Sequence, residues 1–462
     1  MSISLPPGKK KQANFPSQKE NLPVFVLVKS KKKEYISDMK SKIKRIIADF
    51  HQGLMPEIRY RSLEVPLQME KIITIVGPRR AGKTFYLFQL MYKLEKMGVP
   101  RQDILYINFE DERLDLDGDN DLIFDAYREL YPERNLFSVY LFFDEIQELP
   151  NWEKFVRRVM DTVSRHIFLT GSNSRLLSRE IATSLRGRGI SFEILPLSFA
   201  EYLSFQDMPT HPPVSGKDRA LVGRAFERYC LWGGYPELIE VDERFKAHVL
   251  QEYFNVMFYR DLVERYKISE PAVLKYLLKR LVSSFTKEFS INKIYNDLKS
   301  RGFSIGKDSL YRMMDEVFDI YMLARIERHD PAVVRREMSN KKVYLYDNGL
   351  ATALHYSFAE DRGKLLENVV FRRLREMTHE IYFLRNGWEC DFVVFPQGQP
   401  RLLIQVTDRL DQSNLGREVK GLTAGKERLG IEQALLLVDS AQADLDVPEW
   451  IRIVPVVEWL LE

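Results

Sequence analysis

The stretch "KIITIVGPRRAGKTFYLFQLMYKLEKMG", residues 71–98, decides the fold of its surroundings. Ile72–Val76 is a β-branched run and reads as a buried strand. Gly77–Thr84 follows with the spacing Gly-x-x-x-x-Gly-Lys-Thr. Phe85, Leu87, Phe88, Leu90, Met91 and Leu94 then recur mainly at helical spacing. Strand, glycine loop and helix in that order make a phosphate cradle. The backbone of Gly77, Pro78, Arg79, Arg80, Ala81, Gly82, Lys83 and Thr84 would wrap the phosphates, and the helix N-terminus adds favourable partial charge. Lys83 would reach the β- and γ-phosphates, and the Thr84 hydroxyl would ligate Mg²⁺. ATP and Mg²⁺ are therefore the expected ligand and cofactor.

Such a site needs a second half, an apolar strand ending in acid. "VYLFFDEIQELPNW" supplies it: Val139–Phe143 reads as the strand, with Asp144 and Glu145 at its C-terminal edge, where open α/β sheets bind ligands. Asp144 would hold the Mg²⁺ shell, and Glu145 would polarise the attacking water as general base. A further strand, "ILYINFED" (104–111), falls between loop and acids, which suits the ATPase branch of these folds. Trp152, Phe155, Val156, Val159, Met160 and Val163 form an apolar helical stripe, read as core. At the polar end of "HIFLTGSNSRLL", Thr170, Ser172 or Asn173 is a candidate γ-phosphate sensor; a turn or helix cap would read the same. Arg186 and Arg188 flank Gly187. Arg188 is the favoured arginine finger, acting from a neighbouring subunit; a surface pair is the alternative.

The chain has 462 residues, room for roughly three domains of about 150 residues. With 45% hydrophobic and 29% charged residues it reads as a soluble globular protein. A net charge of +3 does not by itself imply a polyanion partner, but lysines crowd the N-terminus, from Lys9 to Lys44. That arm is either a contact for nucleic acid or an acidic partner, or a solvated tail. Cys230 and Cys390 are far apart, so neither a disulfide framework nor a zinc site is expected, and a cytoplasmic setting fits. No apolar run approaches the ~18 residues of a spanning helix, so no membrane partner is expected.

"GPRRAGKT", "FFDEIQELPNWEKFVRR", "TGSNSRLLSREIATSLRGR", "PLSFAEYL", "WGGYPE" and "KKVYLYDNGLA" occur in that order. The set resembles archaeal and bacterial AAA-plus ATPases with a C-terminal nuclease-like domain of unknown function, from about Arg59 to the C-terminus. The resemblance implies a multidomain α/β chain: a P-loop AAA-plus core, a helical lid, a winged helix and a restriction-endonuclease-like α+β tail. The divisions expected are a basic extension 1–55, the core 56–205, the lid 206–288, the winged helix 289–346 and the tail 347–462. "WGGYPELI" is similar to the Gly-x-Pro lid motif of signalling P-loop ATPases, which makes Pro236 a nucleotide-contact candidate; a plain interhelical turn is the alternative.

Residues 289–330 read as two short amphipathic helices around "SRGFSIGK", packed through Ile291, Ile294, Tyr295 and Leu298, and through Leu310, Met313, Met314 and Val317. The second helix would present Lys307, Ser309, Tyr311 and Arg312 to DNA, although Asp308, Asp315 and Glu316 dilute the charge and winged helices also bind proteins. In the tail, "GKLLENVVFRRLREM" reads as a helix, "IYFLR", "ECDFVVF" and "RLLIQVT" as strands, then a helix and the strand "EQALLLVD". By resemblance, Glu367, Asp391 and Gln405 fall on the metal-binding positions of restriction-endonuclease-like nucleases, and Thr407 on that of the lysine. The strand Leu402–Val406 is expected to end beside a charged loop. Where such nucleases carry Glu-x-Lys, this chain has Gln405 and Thr407, which bring no charge. Lys420 on the following helix is a candidate replacement cation. Cleavage by the tail is thus not expected. The leading expectation is an ATP-hydrolysing switch or motor, homo-oligomeric, acting on DNA or a DNA-bound partner. The rivals are a signalling or defence ATPase working through protein contacts, and an ATP-gated nuclease.

Overall fold

A computed structural model describes residues 24–116, 118–172, 185–354 and 362–462. In chain order, α1 (Val24–Gln52) precedes β1 (Ile72–Val76), α2 (Lys83–Lys96), β2 (Ile104–Asn108), α3 (Leu122–Leu130), β3 (Tyr140–Asp144), α4 (Trp152–Thr162), β4 (His166–Gly171) and β5 (Gly189–Glu193). Two compact units form, one from residues 24–49 and 111–134, the other from 50–110 and 135–462. In the smaller unit, Lys40 and Lys44 of α1 hold Glu129 of α3 at 2.8 and 2.5 Å. These two lysines are therefore neither a free solvated tail nor an open arm: part of the basic charge is paired within the fold.

In the larger unit, β1–β5 form one parallel sheet in the order β2-β3-β4-β1-β5. β4 lies between β1 and the acid strand β3, while the strand that falls between loop and acids in the sequence, β2, lies at the sheet edge beyond β3. β1 is buried along its length, because β4 and β5 cover both its edges and α2 covers a face. Ile73, Ile75, Tyr86, Leu87, Leu90, Met91 and Leu94 share one apolar cluster with Phe142 and Phe168. Burying each large side chain there stabilises the core by about 1.5–3 kcal/mol.

Helices follow: α5 (Phe199–Ser204), started by a capping box of Ser198 and Glu201, α6 (Gly216–Trp232), α7 (Glu243–Val256) and α8 (Pro271–Ser283). Between α7 and α8 a π-helical segment runs from Met257 to Glu264. Next come β6 (Glu288–Phe289), α9 (Ile291–Ser300), α10 (Lys307–Asp319), β7 (Leu323–Arg328), α11 (Val333–Met338), β8 (Lys341–Leu345) and α12 (Gly349–Ala353). The last part holds α13 (Arg362–Met377), β9 (Ile381–Arg385), β10 (Glu389–Val394), β11 (Leu402–Leu410), α14 (Gln412–Leu429), β12 (Ala434–Ala441), β13 (Ile451–Pro455) and α15 (Val456–Leu461).

The expected border at 346/347 falls inside a single sheet of order β13-β12-β11-β10-β9-β7-β8-β6. β7 pairs with β9 in parallel through Glu327–Tyr382 and Arg328–Phe383. A two-stranded hairpin would leave β7 with an unpaired edge; β9 satisfies it. The border at 288/289 is likewise bridged by one apolar core, in which Leu274, Leu277 and Leu281 of α8 meet Leu298, Leu310 and Met314. β11 does not stop at Val406. It continues to Leu410 because β12 runs parallel beside it as far as the Leu410–Ala441 pair. Among the described residues no helix is long and apolar enough to cross a membrane.

Candidate active site

The phosphate loop leaves β1 at its C-terminal edge. A Cβ on Gly77 would lie 1.9 Å from the Ile194 carbonyl oxygen, so only glycine lets the loop start against β5. Lys83 is buried at the first turn of α2. Its Nζ lies 3.2 Å from the Pro78 carbonyl oxygen and 3.4 Å from Glu145 Oε1. The Thr84 hydroxyl donates to Asp144 Oδ2 at 2.7 Å, and the Tyr106 hydroxyl donates to the same oxygen at 3.0 Å. The Thr170 hydroxyl donates to Asp144 Oδ1 and accepts from the Glu145 N–H at 2.8 Å.

Glu145 adopts φ +50°, a left-handed backbone that costs a non-glycine residue free energy and is held here by the Thr170 bond. Gln147 Nε2 donates to Glu145 Oε2 at 2.5 Å. Burial alone would push the Glu145 carboxyl up, but the Lys83 ammonium beside it holds it below the usual range. Asp144 is pushed up, first by burial and then by the Glu145 charge. A cation arriving between Thr84 and Asp144 would relieve both causes, and hydroxyl and carboxylate oxygens are the ligands a hard divalent ion takes.

The other sequence candidates divide. Pro236 stands beside the loop: a Cβ on Gly82 would lie 3.8 Å from its Cγ. Arg79 grips Asp261 of the π-helical segment through Nε and Nη2, both at 3.1 Å, and Glu110 at 3.3 Å. Arg80 Nη1 reaches Glu237 at 2.6 Å. Both arginine side chains therefore tie the loop to helical neighbours, which the motif alone did not reveal. Of the candidate sensors, Thr170 is spent on Asp144 and Glu145. The buried Ser172 hydroxyl has no hydrogen-bond partner among the described residues. Asn173 lies outside the described residues. Arg188 precedes β5, whose first residue pairs with Ile72, so it sits at the sheet edge opposite the phosphate loop, bonded to Asp161 at 2.6 Å.

On α10, Lys307, Tyr311 and Arg312 are exposed and Ser309 is half-buried. Glu316, expected to dilute the surface charge, is buried. Lys299 and Lys307 both lie over the Tyr295 ring, at 5.1 and 5.5 Å.

In the tail the structure brings Glu367 and Asp391 together but turns Gln405 and Thr407 to other work. Gln405 Oε1 accepts from the Asp391 N–H at 3.2 Å, and its Nε2 donates to Glu418 at 2.9 Å. The Thr407 hydroxyl donates to the Arg409 carbonyl at 3.4 Å. Lys420 is exposed and does not reach inward; the charged residue that α14 buries is Glu418. The lysine among the acids is Lys342 of β8, 1% exposed. It was legible only as a strand pattern: period two puts Lys342, Tyr344 and Tyr346 on one face of "KKVYLYD".

Residues 69–203 match the AAA domain family, and residues 223–361 match a domain of unknown function, DUF8612. The uncharacterized protein MJ1544 of Methanocaldococcus jannaschii is 37% identical over 417 residues, spanning 87% of this chain and 90% of that one. An uncharacterized protein of Haemophilus influenzae is 26% identical over 85% of this chain and 94% of its own. Among solved structures, Orc1 of Aeropyrum pernix in complex with DNA is similar over 73% of this chain and 93% of that chain, at 14% identity and a TM-score of 0.30. The AAA-domain match agrees with the parallel sheet, its loop and its paired acids, and the extent and identity of the archaeal match place this chain and MJ1544 in one family of multidomain α/β proteins built on a P-loop AAA-plus core.

Proposed function

We propose that the protein is an ATP-hydrolysing AAA-plus switch that acts on DNA or a DNA-bound partner. The observation that carries it is the convergence of Lys83, Thr84, Asp144 and Glu145 at the C-terminal edge of a parallel sheet. Thr84 and Asp144 would hold Mg²⁺, which neutralises phosphate charge when bound. Lys83 would leave Glu145 for the phosphates, freeing that carboxylate to take a proton from water. Arg79 and its partner Asp261 would carry the change at the loop to the lid. Arg188 is too far around the sheet to serve its own loop, which supports a finger completing a neighbour's site. Mixing Arg188→Ala with Lys83→Ala protein should restore part of the hydrolysis that each lacks. Mixed assemblies that form and stay inactive would remove Arg188 from the mechanism.

The exposed Lys307, Tyr311 and Arg312 support α10 as a DNA-reading helix of a winged helix, with Lys293, Lys299 and Arg301 at phosphates. DNA should stimulate ATP turnover, and its affinity should fall steeply with salt as counterions are released. Lys307→Glu with Arg312→Glu should cut DNA affinity about tenfold or more without changing turnover in the absence of DNA. Unchanged affinity and no stimulation would favour the protein-contact reading. The tail is read as a restriction-endonuclease-like fold that binds without cutting, since Gln405 and Thr407 add no charge and point elsewhere.

A further inference from the structure

A restriction-endonuclease-like centre works by collecting carboxylates around a divalent ion. Glu367 of α13, Glu389 and Asp391 of β10 are collected here, but the charge at their centre is an ammonium. Lys342 Nζ lies 2.7 Å from Glu389 Oε1, 3.2 Å from Asp391 Oδ1 and 3.3 Å from Glu367 Oε1. Tyr344, two residues on along the same strand face, donates its hydroxyl to Glu367 Oε1 at 2.6 Å. The second oxygen of Asp391 accepts from the Val406 N–H at 3.1 Å. Glu389 also meets Arg385, at 3.8 Å. Lys342 Nζ also lies over the Phe383 ring, 5.6 Å from its centroid. The acids therefore have their inward oxygens engaged. Among the described residues no group of three or more acids, histidines or cysteines is arranged to hold a metal ion. The tail residues do not fit a divalent cation.

We propose that Lys342 is the resident cation of this carboxylate cluster, a covalently attached replacement for a divalent metal, and that the cluster is a clasp joining β8 to the tail. The physical case is one of charge and reach. Asp391 is buried, Glu367 nearly so and Glu389 half-exposed; gathered without a counter-charge they would be costly, and one ammonium with three N–H donors bonds Glu367 and Asp391 and pairs with Glu389. A buried lysine without carboxylates would be equally costly, so each side requires the other. The lysine arrives from a strand outside α13–α14, so the cluster forms only when β7–β8 has joined β9. A loose metal would leave that joint optional. Thr407, the residue at the family's lysine position, has no need to be basic, because the cation comes from β8.

The proposal rests on the reading of the tail as a fold that does not cut, and it fails separately from it. The test uses full-length, nucleotide-free protein in which Asp144→Asn silences the phosphate-loop cation site. Mn²⁺ binding is followed by electron paramagnetic resonance, and thermal unfolding is compared in EDTA and in Mn²⁺. The parent should show no Mn²⁺ binding that Asp391→Asn removes, and equal midpoints in EDTA and Mn²⁺. Lys342→Ala frees the carboxylates and should bind Mn²⁺ at least ~10-fold more tightly than the parent. Adding Asp391→Asn should abolish that gain. A parent that binds or is stabilised by Mn²⁺ in an Asp391-dependent way overturns the proposal, and so does a folded Lys342→Ala that gains nothing. If Lys342→Ala does not fold, the parent measurements still decide. DNA cleavage in Mg²⁺ that Asp391→Ala abolishes would instead sink the reading of the tail.

Discussion

Glu145→Gln protein should bind ATP as wild type does and hydrolyse it at least ~100-fold more slowly, the lower range for loss of a general base. The reason lies in what the side chain keeps and loses. Glutamine fills the same space and can still accept from Gln147, but it cannot take a proton. It also releases Lys83 from its contact at 3.4 Å, so phosphate binding is not weakened. Lys83→Ala should behave differently. It removes the cation that approaches the phosphates and leaves Glu145 buried without its main counter-charge, so binding and turnover are both lost. Equilibrium binding of a fluorescent ATP analogue together with steady-state phosphate release separates the two variants. Turnover at the wild-type rate in Glu145→Gln would remove Glu145 as the base.

Gly233→Ala should destabilise the folded protein by on the order of 3 kcal/mol, the sum of a strained backbone and broken buried hydrogen bonds. Gly233 sits at φ +77°, and a Cβ there would lie 1.7 Å from Asp347 Oδ1. Asp347 cannot yield cheaply. Its Oδ2 accepts from the Gly234 N–H at 2.7 Å and its Oδ1 from the Gly349 N–H at 2.8 Å. Burial pushes its carboxyl up to about 6. This contact sets the turn that brings Pro236 to the phosphate loop, so nucleotide affinity should fall with stability. Chemical denaturation of Gly233→Ala, Asp347→Ala and the double variant checks the cause. If the clash is with Asp347, adding Gly233→Ala to Asp347→Ala should cost less than Gly233→Ala costs in the wild type, because only the backbone strain remains. Strictly additive losses would contradict it.

The phosphate loop was legible because its parts are local. Strand, loop and helix are contiguous from Ile72 to Leu94, so spacing within that stretch is enough to place them. The acid pair was legible for the same reason, at the end of its own buried strand. The tail's element order was legible too, from periodicity in successive segments. Three things were not. The length of β11 depended on β12 running beside it to Ala441. The inward aim of Lys420 was a guess about helix phase, and α14 buries Glu418 instead. The work of Arg79 was hidden because its partner, Asp261, lies 182 residues on.

The sequence by itself determined the phosphate loop, its acids and the succession of helices and strands, since short-range spacing and period specify these without reference to distant partners. Only the tertiary structure decided that β7 and β8 complete the tail's sheet and that Lys342 enters its carboxylate cluster. An unpaired strand edge and an unpaired buried charge are each costly, and what satisfies them can come from any part of the chain that folding brings near.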